Sequence, residues 1–252
     1  MSQSQIPNPY TANQVTPATT VSPLSAASPS VLGVKPDARL AAAFLSQAFL
    51  WMFAGLLVTA GVAQVVKSNG RLLEFASGNF FLLFIAQLVI VVGISAGIKR
   101  INATAALALF FVYAASLGVT IGLIVSSYTT GSVVFAFVSA SAMFGAAGIY
   151  GAVTKRSLAG MGGILFMGLI GLMVAMLLNL FFPNGTVTLI ISIVGVVIFT
   201  ALTAYDVQRI QSGDLAAQTG SLEKAAVIGA LRLYLDFINI FLFMLRLFGG
   251  RN

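Results

Sequence analysis

Residues 157–205 read SLAGMGGILFMGLIGLMVAMLLNLFFPNGTVTLIISIVGVVIFTALTAY, without one charged side chain. A helix needs roughly 20 apolar residues to cross a bilayer. The stretch holds two such lengths, and Pro183-Asn184-Gly185 breaks it near the middle. It therefore reads as two membrane spans joined by a tight turn.

The same reading extends outward. No charge lies between Arg39 and Lys67, between Glu74 and Lys99, or between Arg100 and Lys155. The first two gaps hold one span each. The third holds two, divided by SSYTTGS at residues 126–132. A last apolar stretch runs from about Ala225 to Phe248. The spans are expected at 41–66, 80–98, 104–125, 132–153, 158–182, 186–208 and 224–248. They make an all-α membrane protein, a bundle of seven transmembrane helices over residues 38–252. Polar residues in the last span also suit a re-entrant or half-buried segment.

Composition agrees. Of 252 residues 59% are hydrophobic and 8% charged, against about 25% charged in soluble domains. The net charge of +7 does not point to nucleic acid, because the basic residues fall in pairs at span ends and form no stripe. Lys35, Arg39, Lys99, Arg100, Lys155, Arg156, Arg209 and Lys224 fall on one side. Lys67, Arg71, Arg246 and Arg251 fall on the other. This bias puts the N-terminus in the cytoplasm. With no cysteine or histidine, disulfides, thiol nucleophiles, imidazole metal sites and Ser-His dyads are excluded. No cofactor is expected.

Residues 1–37 hold six of the seven prolines with many Ser and Thr. They are expected to form a flexible tail. The ending GGRN carries no ER retention signal, which favours a bacterial cytoplasmic membrane. Gly93 and Gly97, and Gly118 and Gly122, have the spacing that lets helix backbones approach closely, so both pairs are expected at packing contacts.

Six acidic residues occur in the chain. Asp37, Glu74, Asp214 and Glu223 fall in loops or at span ends. Asp206 lies near the cytoplasmic end of span six and Asp236 well inside span seven. A charge at mid-bilayer costs about 2.5–3.5 kcal/mol, so each aspartate should face a partner or a hydrated cavity. Thr200, Thr203 and Asp206 share a face of span six. Arg232, Asp236 and Asn239 make a stripe on span seven, to which Arg246 returns. Two such stripes facing each other would line a polar path. Two adjacent carboxylates cannot both ionise cheaply, so the pair would share a proton and sense pH. When charged it would attract calcium, weakly and in passing, since calcium takes six to eight oxygens. The structural alternative is an ion pair between Arg232 and Asp236 along one helix face. The two aspartates meet only if the first turns of span seven project beyond span six. Ser221 as N-cap and Glu223 in the first turn permit that.

TALTAYDVQRIQ (200–211) and ALRLYLDFINIFLFMLRLFG (230–249) resemble the two signature segments of the transmembrane Bax inhibitor motif family. A looser likeness includes FLWMFAGLLVTA (49–60). The resemblance implies a seven-helix fold with the last helix central and a pH-sensitive calcium leak. It matches the family's paired aspartates to Asp206 and Asp236, and a basic gating latch on the span-six aspartate to Lys99 or Arg100. Two departures stand out: Gln87 where relatives often carry Glu, and Arg232 where they often carry Ser. Bacterial relatives also suggest a regulatory role, binding another membrane protein such as a membrane-anchored ATP-dependent protease. An intramembrane aspartyl protease is the enzymatic alternative. It is disfavoured because Asp236 follows Leu-Tyr-Leu instead of Gly-x-Gly, and no Pro-Ala-Leu turn comes after it.

Overall fold

A computed structural model describes residues 38–250; the expected tail, residues 1–37, lies outside them. The helices are α1 (Ala38–Ser68), α2 (Gly70–Gly78), α3 (Phe80–Gly97), α4 (Ala103–Ser126), α5 (Thr130–Val153), α6 (Gly162–Phe181), α7 (Gly185–Gln211), α8 (Asp214–Thr219) and α9 (Leu222–Phe248). A single 3₁₀ turn, Ala159–Met161, leads into α6. All except α2 and α8 are long and apolar enough to span a membrane, which gives seven spans.

Local chemistry sets the ends. Asn69, Asn102, Thr129, Asn184 and Ser221 each cap a helix start through a side-chain oxygen, satisfying amide groups that a helix leaves open. Short α8 is bounded by Gly213 and Gly220, at φ 78° and 73°. These left-handed turns favour glycine, and they reverse the chain between α7 and α9.

Burial divides the spans. In α3 and α6 only 11% of the apolar window is buried, and Phe81, Ile164, Met167 and Phe181 stand open. Such faces are tolerable only in lipid. In α9 78% is buried, the largest share of the seven. It packs against α1, α4, α5 and α7. Phe237 stacks edge-on with Phe144 and Phe137 of α5, and Tyr234 with Phe110 and Tyr113 of α4. These are favoured aromatic geometries.

The loops sort to two ends of the bundle. Lys224 at the start of α9 donates to the Lys99 carbonyl after α3, at 3.4 Å. At the same end the Gln208 side chain clasps the loop before α6, accepting from the Leu158 amide at 2.7 Å and donating to the Arg156 carbonyl at 2.9 Å. At the far end the Thr129 amide, between α4 and α5, donates to the Gly250 carbonyl at 3.2 Å. The last helix thus runs the full depth of the bundle. At 1.5 Å per residue its 27 residues extend about 40 Å. It is one continuous helix, without the return bend that a re-entrant segment needs.

The glycine expectation holds for one pair and fails for the other. A Cβ on Gly118 would meet Val62 at 2.7 Å, and one on Gly122 would meet the Ala63 carbonyl at 2.8 Å, so these glycines seat α4 on α1. Gly93 and Gly97 have nothing within 4 Å. Helix α3 turns them away from its neighbours, so they make no packing contact among the described residues.

Candidate functional site

Helices α7 and α9 run antiparallel in a definite register. Ile210 packs on Gly229, Asp206 meets Arg232, Thr203 faces Asp236, and Phe243 fills the space over Gly195. Ile210 is one residue short of the end of α7, yet it opposes the eighth residue of α9. The first two turns of α9 therefore extend past α7. This offset brings two aspartates together that lie at different distances from their helix ends. Ser221 caps the extended start through its hydroxyl, 3.2 Å from the Lys224 amide.

The centre of the site is an ion pair between helices. Arg232 Nη1 donates to Asp206 Oδ1 at 3.1 Å, with the Arg side chain 33% and the Asp side chain 8% exposed. The expectation of an Arg232–Asp236 pair along α9 is corrected here: the guanidinium crosses to α7, because the register sets Asp206 opposite it. Asp236 lies one turn deeper, 4% exposed. It is near enough to Asp206 and Arg232 for their charges to act on it directly. Its Oδ2 is buried without a hydrogen-bond partner, and so is Thr200 Oγ1. The Thr203 hydroxyl faces Asp236 and also lies 2.8 Å from the Phe199 carbonyl, to which it donates. Arg209, stacked over the Tyr205 ring with 5.8 Å to the centroid, adds a second cation near Asp206.

Asp206, Asp236, Thr203 and Arg232 are thus brought together. Other residues marked in the sequence are not. Lys99 and Arg100 are exposed at the end of the bundle, and among the described residues neither forms an ion pair. The cation beside Asp206 is Arg232, on α9. Asn239 is turned to its own helix and donates to the Leu235 carbonyl at 2.8 Å. Gln87 is buried in a separate polar knot, donating to Thr120 Oγ1 at 2.8 Å and the Ser116 carbonyl at 3.0 Å. Arg246 is exposed near the opposite end of α9.

Two functional-looking groups escaped the sequence reading. One is the Gln208 clasp. The other is Thr59, which bonds the Tyr234 hydroxyl at 2.6 Å and donates to the Ala114 carbonyl at 2.9 Å, tying α1, α4 and α9 together. The available signal was a polar side chain inside an apolar helix, where an unpaired group is costly.

With only two carboxylates, the pair falls short of a calcium shell. No group of three or more acidic, Cys or His side chains suited to a metal exists among the described residues. What the cluster offers is charge in the interior of the bundle: two carboxyls, one guanidinium, and one carboxyl oxygen left without a partner.

Fold and site together define a multi-pass bacterial membrane protein with an ionisable cluster in its helical core. The chain belongs to the Bax inhibitor family, whose description "Inhibitor of apoptosis-promoting Bax1" matches residues 41–252. It is 40% identical to the inner membrane protein YbhL of Escherichia coli (strain K12) over 225 residues, 87% of this chain and 96% of the relative. It is 41% identical to a protein of Borreliella burgdorferi over 214 residues, 83% of this chain and 92% of the other. With YrjE of Lactococcus lactis it shares 41% over 212 residues, covering 82% and 90% of the two chains.

Proposed function

We propose that the protein is a pH-sensitive cation leak of the bacterial cytoplasmic membrane, with calcium as the permeating ion and the Asp206–Asp236 pair as its gate. The observation that carries this reading is Asp236, a buried carboxyl with an unpartnered oxygen, beside an aspartate already held by arginine. Charged groups at such depth are costly and usually mark an ion or proton path. Arg232 on Asp206 is the closed arrangement. Protonation of Asp206 removes the partner of the guanidinium, and release of Arg232 frees the polar seam between α7 and α9. Arg209 stands near Asp206 as a second cation, and Thr203 faces Asp236 from α7.

The same arrangement weighs against an aspartyl protease. Its water would need two carboxyls free to share a proton, and here Asp206 is engaged by Arg232. The test is calcium entry into proteoliposomes containing the full chain, followed across a pH series. Entry that varies with pH supports the reading. Entry no greater than in protein-free vesicles at every pH overturns it.

A further inference from the structure

A cleft of about 370 Å³ opens between the end of α3, α8 and the first half of α9. Its lining includes two cations, Lys99 and Arg232, and no acidic side chain. Ser95 and Gln218 add neutral hydrogen-bonding groups; Ile228 and Leu231 supply an apolar floor. Lys99 is exposed and pairs with no carboxylate among the described residues. Its carbonyl accepts from Lys224, which sets a third cation beside the cleft. Arg232 gives one nitrogen to Asp206 and remains one-third exposed. A guanidinium carries five N–H donors in a fixed fork. The donors not used on Asp206 leave capacity for an anion on the cleft side.

The position of the cleft selects among anions. Helix α3 packs on α4 and α2, with its apolar window only 11% buried. Its flank at the cleft is open to hydrocarbon. The cations lie near the last turn of that span, where headgroups meet the chains. Clustered basic groups with an apolar floor at this depth suit a phosphate that carries acyl chains.

We propose that this cleft binds the phosphate group of an anionic phospholipid, with Lys99 and Arg232 holding its oxygens and the chains lying along α3. Arg232 then bridges the headgroup and Asp206. The binding does not depend on calcium passage.

The experiment titrates the full-length protein in detergent with phosphatidylglycerol or phosphatidylcholine and counts retained lipid by native mass spectrometry. A parallel series adds inorganic phosphate as competitor. Phosphatidylglycerol should be retained over phosphatidylcholine. Lys99→Gln should weaken retention about tenfold, the worth of one charge-assisted hydrogen bond. Lys155→Gln with Arg156→Gln, which removes charge from the same end of the bundle outside the cleft, should change nothing. Lys99→Arg should restore binding. Far-UV circular dichroism and elution volume verify the fold of each variant. Displacement of the lipid by phosphate would support the shared phosphate site. Phosphate binding without lipid retention would overturn the lipid as its source. Equal retention of both lipids, or equal loss in the Lys155/Arg156 control, would overturn the site itself.

Discussion

On α9, Arg232 and Asp236 stand one turn apart, yet the guanidinium reaches Asp206 on the neighbouring helix. Removing one partner of a buried pair leaves the other uncompensated, which costs about 3–5 kcal/mol when both are fully buried. Here Arg232 is one-third exposed, so solvent screening reduces the loss. Arg232→Ser is therefore expected to lower stability by about 1–2 kcal/mol while raising calcium entry at neutral pH, because it unlatches Asp206 and removes a fixed positive charge from the seam. Thermal unfolding in detergent checks the first effect and vesicle flux the second. Arg232→Lys should keep much of both properties. Normal stability with unchanged flux in Arg232→Ser would leave the guanidinium without a gating role. That Asp206, Asp236 and Arg232 would seek partners inside the bundle was legible in the sequence, because charges in apolar helices are rare and costly. The partner of Arg232 was not. A same-helix spacing of four residues permits a pair with Asp236, but only the register of α7 against α9 decides that Asp206 is nearer.

Among the elements, α4 and α3 carry glycine pairs of identical spacing and opposite consequence. Gly118 and Gly122 press on Val62 and the Ala63 carbonyl of α1, whereas Gly93 and Gly97 face open space. Overpacking a close contact costs about 1–3 kcal/mol. Gly118→Val should destabilise the bundle by that amount and Gly93→Val by little, as measured by unfolding temperature in the same detergent. Equal losses would mean that α3 has a neighbour at Gly93. The spans themselves were legible from charge spacing, to within a few residues. The short helices α2 and α8 were not, because each is too brief for its periodicity to stand out from a polar loop. The projecting start of α9 was legible only as a condition, through Ser221 and Glu223; packing of Gly229 on Ile210 fulfils it.

At the scale of the whole molecule, hydrogen bonds sort the loops into two sets. The ends carrying Lys99, Arg156, Gln208 and Lys224 are tied together, and the α4–α5 turn meets Gly250. The basic bias assigns the first set to the cytoplasm. Reporter fusions after residues 102, 156 and 216 should be cytoplasmic. Fusions after 69, 128 and 184, and at the C-terminus, should be outside. A cytoplasmic C-terminus would contradict a last helix that crosses fully. For function, the most direct measurement compares calcium entry into proteoliposomes at several pH values for the native chain, Asp206→Asn and Asp236→Asn, each verified as folded. The gate requires that entry through the native chain vary with pH. It requires that Asp206→Asn leak more and respond less to pH, and that Asp236→Asn pass less calcium. Native flux and an unchanged pH profile in both variants would contradict a gate at this pair and leave it a structural ion cluster.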